Sequence, residues 1–335
     1  MKAIIYTTSG SSDVLSLADR PQPEPGPGEV RVRVWLSGVN PTDWKVRQNA
    51  SPDAEQVPNQ DGAGVIDAVG PGVPENRIGE RVWIWEAAYK RAGGTAQEYV
   101  TLPSRQAVAL PEHASFELGA SLGIPALTAH RLLTVADGGP QRLAVGALDG
   151  RTVLVAGGAG AVGNAAIQLA RWAGATVITT VSSAEKAALA TAAGAHHVVN
   201  YRERDAAAEI RRIAPDGVHI VAEVAPGANA ALDVAVTAPD AVVAFYADDS
   251  GTMTVPVRPS MFTNIRWQGV LVYTVPRTAK DHAVAAVTAA VADGAVRVGE
   301  EAGLPLHRFP LARTGDAHAA VEAGAVGKVL VEVAE

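Results

Sequence analysis

The sequence contains no cysteine among its 335 residues. Disulfide bonds, thiolate nucleophiles, iron–sulfur clusters and zinc sites built on sulfur are therefore excluded. The eight histidines are scattered, and only His196 and His197 are adjacent. Neighbouring side chains on a strand point to opposite faces, so one metal ion would hardly reach both. We therefore expect no metal site.

Dense positive charge and long apolar runs are also absent. The net charge is −7 and Lys and Arg form no cluster, so we expect no nucleic-acid partner. No apolar run approaches the roughly 20 residues that span a bilayer, and the first residues, MKAIIYTTSG, alternate like a strand rather than a signal peptide. We expect a cytoplasmic protein with no membrane association, long enough for two domains.

The pattern of apolar residues divides the chain in two. The first 110 residues have short alternating runs broken by proline and glycine, as in EVRVRVWLSGVN (29–40), which is typical of a tight barrel-like sheet. From about residue 117 a helical spacing begins, in a helix that we expect to break at Pro125. Strands and helices then alternate as far as a predicted strand GVLVYT (269–274), which indicates a parallel sheet covered on both faces by helices. A helix over 279–294 and a closing strand KVLVEVAE are predicted to follow.

Residues 153–183, VLVAGGAGAVGNAAIQLARWAGATVITTVSS, have the order strand, glycine-rich turn, helix and strand. This order is typical of a dinucleotide-binding unit, in which glycines let the backbone approach a pyrophosphate. The helix that follows supplies unpaired N–H groups for the phosphates. The alternative is a cluster of packing glycines in a fold that has lost its ligand.

The second strand of this unit lacks the acidic residue that NAD sites usually carry at its end. It ends in Thr179, Thr180, Val181, Ser182 and Ser183, and the first carboxylate is Glu185. Hydroxyls tolerate a 2′-phosphate that a carboxylate would repel, while Lys186 and Tyr201 would supply a charge and a phenol. The sequence therefore favours NADPH. A serine that caps a helix over 184–193 and an ordinary exposed lysine are the alternatives for these residues.

Six segments in a fixed order resemble the medium-chain dehydrogenase/reductase superfamily, and within it the zinc-free quinone oxidoreductases, the zeta-crystallin group. The segments are GVNPTDWKVR (38–47), DGAGVIDAVG (61–70), LGIPALTAHRLL (122–133), VLVAGGAGAVGNAAIQLA (153–170), GAHHVVNYRERD (194–205) and GKVLV (327–331).

The resemblance implies an α/β fold with a doubly wound parallel Rossmann sheet and a GroES-like, partly open β-barrel. Residues 1–124 and 277–335 would form the catalytic domain, and 125–276 the NADPH-binding domain. It also implies a homodimer, in which edge strand 269–274 pairs with its counterpart.

The resemblance further implies chemistry without zinc. Zinc-dependent members have a cysteine ligand where this chain has Asn40 and a histidine ligand where it has Gln60, and their four-cysteine lobe is missing between residues 86 and 100. We expect hydride transfer from NADPH to a quinone or a conjugated carbonyl, with hydrogen-bond donors stabilising the oxygen that becomes anionic.

Three residues are candidates for catalysis. The resemblance places Asn40 beside the substrate carbonyl, as a donor, and Thr128 near the nicotinamide ring. Lys45 stands where the family has a tyrosine that lines the substrate site, and it either donates a proton or points to solvent. Without the resemblance, Asn40 would be a turn residue before Pro41, and Thr128 would bond to its own helix.

The cofactor contacts implied by the resemblance are Gly160, Ala161, Val162, Gly163, Ser182, Lys186, Tyr201, Phe245, Tyr273 and Lys328. Phe245 and Tyr273 would lie on strand ends that border the nicotinamide, and Lys328 would be either a cofactor contact or an exposed lysine. The turn FYADDSG (245–251) departs from the family pattern. Tyr246 replaces a glycine there, and Asp248 and Asp249 add negative charge.

Three functions remain open at this point. The first is an NADPH-dependent reductase of quinones or related conjugated carbonyls. The second is an enoyl or alkenal reductase, which needs a proton delivered to carbon by an acid such as Lys45 or Tyr89. The third is a non-catalytic NADPH-binding sensor. The shape of the acceptor pocket depends on loops 45–58 and 86–94.

Overall fold

A computed structural model of the chain describes residues 1–248 and 250–334. The chain divides into two compact units. Unit 1 consists of residues 1–124 and those from 305 onwards, and unit 2 of residues 125–304. Among the described residues, no helix has the length and apolarity needed to cross a membrane.

The strands and helices have the following bounds. The strands are β1 Lys2–Ile5, β2 Ser16–Asp19, β3 Glu29–Val39, β4 Asp61–Val69, β5 Arg81–Ile84, β6 Tyr99–Pro103, β7 Ala107–Ala109, β8 Thr152–Ala156, β9 Thr176–Val181, β10 His197–Asn200, β11 Val218–Glu223, β12 Thr237–Phe245, β13 Arg266–Gly269, β14 Leu306–Pro310 and β15 Lys328–Glu332. The helices are α1 Pro41–Asn49, α2 Phe116–Leu133, α3 Ala161–Trp172, α4 Ala184–Ala192, α5 Ala206–Ile213, α6 Pro226–Val236, α7 Val257–Thr263, α8 Arg277–Ala292 and α9 Thr314–Glu322.

Unit 1 is built around a mostly antiparallel seven-stranded sheet, in which β3 is central. Strand β3 pairs with β4, β6 and β15, and the main path of the sheet runs β14-β15-β3-β4-β5-β7. Alternate residues of β3, such as Val30, Val32 and Val34, are fully buried in the unit's core. This alternation is the period of two that predicts a strand with one buried face.

The prediction that the helix breaks at Pro125 is wrong. Helix α2 runs without interruption from Phe116 to Leu133, with the proline inside it. A proline removes one backbone donor from a helix. The N–H of Ile124 donates to both carboxylate oxygens of Asp61, at 2.9 and 3.0 Å, as a helix N-terminal N–H does to a capping carboxylate. This acceptor from a distant strand stabilises the helix beside its proline.

Unit 2 contains a six-stranded parallel sheet. Its order is β10-β9-β8-β11-β12-β13, which, counted from β8, is the 3-2-1-4-5-6 order of the Rossmann fold. The central strand β8 reads TVLVA and is buried after its first residue, as expected for a parallel strand covered on both faces. The predicted fold class is confirmed.

The second boundary between the units lies at residues 304 and 305, whereas the sequence predicts it at 276 and 277. Two residues of the segment that follows α8 are bonded to α3 of unit 2. The side chain of Asn164 donates to the carbonyl of Ala302 at 2.8 Å, and that of Gln168 donates to the carbonyl of Arg297 at 3.1 Å. These buried side-chain bonds keep residues 277–304 in unit 2.

The predicted strand over 269–274 is also wrong. Strand β13 covers Arg266–Gly269, and Val272–Thr274 form a 3-10 turn. The partner strand β12 ends at Phe245, which pairs with Gly269. Past this point, the described part of the chain offers no strand beside it to continue the ladder, because β12 ends at Phe245.

Candidate functional site

The glycine-rich turn between β8 and α3 and the first turn of α3 are each too tight for a side chain at one position. A Cβ at Gly158 would lie 2.2 Å from Oγ1 of Thr179, and a Cβ at Gly163 would lie 2.4 Å from the carbonyl oxygen of Gly157. Gly157 itself has a φ of +70°, which favours glycine. The sequence therefore folds here into a close-packed turn with a bare backbone.

Helix α3 begins directly after this turn, with Gly160 as its extended N-cap residue. Gly160 is exposed, Ala161 and Val162 are half-buried, and Gly163 is buried. The first N–H groups of a helix have no partner within it and carry partial positive charge. The N–H of Gly160 is already bonded to the carbonyl of Gly157 at 3.0 Å, so the N–H groups suited to an anion are those of Ala161, Val162 and Gly163. Their contact with a cofactor stays a prediction.

Ser182 and Lys186 lie together at the carboxyl end of β9. The Nζ atom of Lys186 donates to Oγ of Ser182 at 3.2 Å. The serine that caps α4 is Ser183, whose Oγ accepts from the N–H of Lys186 at 3.2 Å. The capping role and the Lys186 contact therefore fall on different serines, and the Ser182 hydroxyl is held beside an ammonium group.

Tyr201 lies at the end of the neighbouring strand β10. Its N–H donates to the carbonyl of Val181 at 3.1 Å, and its side chain is 51% exposed. The phenol is thus available for a ligand at the same edge of the sheet as Ser182.

Phe245 is the last residue of β12 and half-buried, with its ring against Gly269. Tyr273 lies in the 3-10 turn after β13 rather than on a strand end, and its carbonyl accepts from Nζ of Lys280 at 2.8 Å. In the turn FYADDSG, the carboxylate of Asp248 accepts from the N–H groups of Ser250 and Gly251. The negative charge of Asp248 is therefore stabilised by backbone N–H groups of its own turn. Asp249 lies outside the described residues.

In unit 1, Asn40 belongs to a buried polar network. Its Nδ2 donates to Oδ2 of Asp61 at 2.7 Å, and its Oδ1 accepts from Nζ of Lys328 at 2.7 Å. Nζ of Lys328 lies 3.6 Å from the Asp61 carboxylate. Lys328 is 1% exposed, so the interpretation of this residue as an exposed lysine is wrong. Asn40 also precedes α1 as its N-cap residue, and its N–H donates to Asp43 at 2.7 Å.

Burial shifts the pKa of each ionisable group in this network. It raises the pKa of Asp43 to about 8, with a further contribution from the charge of Asp61. Burial also raises the pKa of Asp61, although Lys328 and the donors around it oppose the rise. Burial lowers the pKa of Lys328, and the nearby charges of Asp61 and Asp43 partly oppose this shift. One ammonium thus faces two carboxyl groups, of which Asp43 readily holds a proton at neutral pH.

A cavity of about 490 Å³ opens in unit 1 beside this network. Asp43, Gln60 and Tyr6 line it, together with residues from the two loops that the sequence predicts to shape an acceptor pocket. Lys45 is exposed and does not line the cavity, and its Nζ lies 5.7 Å from the centre of the Trp44 ring. In the described structure, Lys45 therefore points to solvent.

Thr128 and Tyr89 are the two remaining candidates from the sequence. Thr128 is 5% exposed, on α2 in unit 2. Tyr89 is half-buried, in the loop after β5.

Sequence reasoning missed Asp43 and Asp61. The spacing of Asn40 and Asp43 is that of a helix capping box, which was a usable signal for the first. The stretch DGAGVIDAVG contains nothing that predicts a fully buried carboxylate at its first position.

The residues at the two positions of the family's zinc ligands do not fit a zinc ion. Asn40 has both ends of its amide bonded within the network, and Oε1 of Gln60 accepts from the N–H of Ala88 at 3.1 Å. Zinc in proteins is bound by thiolate, imidazole or carboxylate. Over residues 1–248 and 250–334, no group of three or more His, Cys, Asp or Glu could hold a metal ion.

Two family descriptions match the chain. Residues 26–112 match the alcohol dehydrogenase GroES-like domain, and residues 161–293 match the zinc-binding dehydrogenase domain. The first match covers much of the sheet of unit 1, and the second runs from the start of α3 through the parallel strands β9 to β13 of unit 2.

Individual proteins are similar over most of the chain. The quinone oxidoreductase of Rattus norvegicus is 33% identical over 239 residues, which is 70% of this chain and 69% of that protein. The synaptic vesicle membrane protein VAT-1 homologue of the same species is 33% identical over 69% of this chain, but the match spans only 55% of that protein. A solved structure of a mycobacterial protein complexed with NADPH has 31% identity and a TM-score of 0.81, and the match covers 99% of this chain and 100% of that one.

Proposed function

The chain belongs to the quinone oxidoreductase group of the medium-chain dehydrogenase/reductase superfamily, and we propose that it is an NADPH-dependent reductase of quinones or related conjugated carbonyls. The observation that carries this proposal is the pairing of Ser182 with Lys186 at a strand end beside a bare glycine-rich turn. The NADPH bound to the mycobacterial relative supports it.

The residues of unit 2 fit the parts of NADPH. The backbone of Gly160–Gly163 would hold the pyrophosphate. Ser182, Lys186 and Tyr201 would bind the 2′-phosphate, with the ammonium group as its counter-charge. Phe245, Tyr273 and Thr128 would border the nicotinamide. When bound, NADPH supplies a hydride.

The residues of unit 1 would bind the acceptor and stabilise the charge that develops on it. Asn40 is 2% exposed and adjoins the cavity wall through its bond to Asp43. It would donate an amide hydrogen to the acceptor oxygen, as donors of an oxyanion hole do. The cavity lined by Asp43, Gln60 and Tyr6 would hold the acceptor. The burial of Lys328 and its bond to Asn40 favour a role in orienting that amide over direct contact with the cofactor.

One observation favours reduction of an enal as a second candidate. That reaction adds hydride to one carbon and a proton to its neighbour, so it needs an acid in the acceptor site. Asp43 lines the cavity, and burial raises its pKa to about 8, which makes it a better source of this proton than the exposed Lys45.

Cofactor choice is tested by titrating the protein with NADPH and NADH, following quenching of tryptophan fluorescence. We expect NADPH to bind at least about tenfold more tightly, or about 1.4 kcal/mol. Lys186→Met should reduce this preference, because it removes the charge beside Ser182. Glu185→Gln is the matched control. It removes a neighbouring charge of opposite sign and should not weaken NADPH binding. Equal affinities for both cofactors in the unmodified protein would contradict the NADPH assignment.

The reaction is tested by mixing the NADPH complex with quinones and enals and following the absorbance of the reduced cofactor. Oxidation with quinones supports the first function, and oxidation only with enals supports the second. Tight NADPH binding without oxidation by any acceptor would overturn both and indicate the sensor.

We also propose a homodimer that forms through the edge of the parallel sheet. Strand β13 ends the sheet. Nearby Val257, Met261, Phe262 and Leu271 are 56–75% exposed. An open strand edge beside exposed apolar side chains is typical of a surface that pairs with another chain. The cytoplasmic location stays a prediction.

A further inference from the structure

The amide of Asn40 could in principle face its neighbours in either of two orientations, because its oxygen and nitrogen are nearly isosteric. The two residues that it contacts permit only one of these orientations. The Asp61 carboxylate only accepts hydrogen bonds and lies 2.7 Å from Nδ2, whereas the Lys328 ammonium only donates and lies 2.7 Å from Oδ1. A flipped amide would place oxygen against oxygen and NH₂ against NH₃⁺.

We propose that Asp61 is a positioning residue for the reduction. Together with Lys328 it fixes the amide of Asn40 so that the second Nδ2 hydrogen is presented to the acceptor oxygen. This inference rests on the proposed function. Within residues 1–248 and 250–334, that second hydrogen has no other partner, because the only bond of Nδ2 is the one to Asp61.

Asp61 is itself held from several sides. Its two carboxylate oxygens accept the Ile124 N–H, and its backbone carbonyl accepts from Oγ1 of Thr95 at 2.6 Å. A Cβ at Gly123 would lie 2.0 Å from Oδ1 of Asp61, so only glycine leaves room for the carboxylate at this distance from the helix. The carboxylate therefore cannot turn to another partner without losing a buried hydrogen bond.

Lys328 is held in a similar way and adds a second effect. A Cβ at Gly38 would lie 3.0 Å from its Cε, so the lysine stem packs against bare backbone. An ammonium at the oxygen end of an amide draws electron density from the nitrogen and makes its remaining N–H a stronger donor. Asp61, in turn, supplies the counter-charge that lets this ammonium stay buried.

The substitution Asp61→Asn removes the single orientation of the Asn40 amide but keeps nearly the same side-chain volume at position 61. The new amide must face two donors, Nδ2 of Asn40 and the Ile124 N–H, and it has only one oxygen. Whichever way it turns, one donor faces another donor, and Asn40 loses its single favoured orientation. Asp67→Asn is the matched control, because Asp67 lies on the same strand β4 but pairs with Arg31 outside the network.

The test is a double-mutant cycle of Asp61→Asn and Asn40→Ala, with kcat measured at saturating NADPH. We expect Asp61→Asn to lower kcat at least about tenfold, with KM for the acceptor and the Kd of NADPH within about threefold of the unmodified values. In the Asn40→Ala background the same change should cause no further loss, and Asp67→Asn should leave kcat unchanged. Losses that multiply in the double variant would overturn the inference, because Asp61 would then act independently of Asn40.

A second measurement is independent of turnover and of the proposed function. In ¹⁵N–¹H spectra of the unmodified protein, the side-chain amide of Asn40, assigned by its absence in Asn40→Ala, should give two resolved signals that are protected from exchange. Asp61→Asn should shift or broaden them, whereas Asp67→Asn should not. An Asn40 amide that exchanges freely, or that is unchanged by Asp61→Asn, would overturn the positioning role even if no acceptor is ever reduced.

Discussion

Two carboxyl groups of unit 2, Glu223 and Asp233, are buried beside each other. Asp233 is fully buried and Glu223 is 1% exposed, and in the described structure neither carboxyl oxygen of Asp233 has a hydrogen-bond partner. Asn229 also donates to Glu223, at 3.0 Å. Burial and the nearby charge of Glu223 raise the pKa of Asp233 to about 9. At neutral pH the pair therefore holds a proton that the unfolded chain would release.

This proton predicts a loss of stability as the pH rises. Between the ordinary pKa of 3.8 and the folded value of about 9, the folded protein binds more protons than the unfolded chain. The free energy of unfolding should therefore fall with increasing pH, by up to about 1.4 kcal/mol per pH unit for one proton. The stabilisation is fully present below the unfolded pKa and is lost as the pH approaches 9. Asp233→Asn should reduce the slope.

Urea denaturation at several pH values between about 7.5 and 9 measures this slope, above the range in which ordinary histidines titrate. The exposed Asp216→Asn is the control and should leave the slope as it is. An unchanged slope in Asp233→Asn would contradict a shared proton at this position.

At the scale of single residues, the sequence predicts those site residues whose partners are close in the chain. Ser182 and Lys186 are one helical turn apart, and the structure brings them together. The contact of Asn40 with Lys328 joins residues 288 positions apart. No local pattern predicts that such a lysine is buried or that Asp61 lies beside it, because both depend on how the strands pair.

At the scale of elements, the N-cap and first turn of α3 distinguish a packing glycine from one that makes room for a ligand. Gly163→Ala would place its Cβ 2.4 Å from a backbone oxygen. It should lower the free energy of unfolding by about 1–3 kcal/mol, because the turn must move, and weaken NADPH binding at least about tenfold.

Gly160→Ala is the matched variant, at the N-cap of the same helix. Its Cβ would lie 3.5 Å from the carbonyl of Gly157, an ordinary contact, and the backbone is already extended. It should cost less than about 1 kcal/mol of stability, so a loss of NADPH affinity would report the approach of the ligand itself. Thermal unfolding and the fluorescence titration measure the two effects. Equal stabilities of the two variants would contradict this packing argument.

The sequence predicts the type and order of most elements, since their apolar periods are strong, but it fails where a tertiary contact decides. Helix α2 continues through Pro125 with a distant carboxylate accepting the preceding N–H. Strand β13 ends at Gly269 because its neighbour ends there. Helix α1 is only nine residues long, and its sequence shows a motif but no apolar period that predicts a helix.

At the scale of the whole molecule, the exposed side chains around β13 predict the oligomeric state. The protein should have about twice the chain mass of 34.5 kDa in solution. Phe262→Asp should shift it towards the single-chain mass, because it places a charge among apolar side chains at the pairing edge. Multi-angle light scattering measures this change. Val145→Asp, at a position that is 74% exposed elsewhere in unit 2, should leave the mass unchanged. A protein that is already monomeric would contradict the proposed dimer.

The pairing of β3 with β15 sets the order in which the protein can be completed during synthesis. Strand β3 precedes unit 2 in the chain and β15 follows it. A ribosome must therefore produce all of residues 125–304 before the edge of β3 meets its partner. Until then, Asn40 lacks the lysine that binds its amide oxygen. The buried network of Asn40, Asp61 and Lys328 is thus completed only after all of unit 2 has been synthesised, so a nascent chain that ends before β15 has an Asn40 amide with no ammonium at its oxygen.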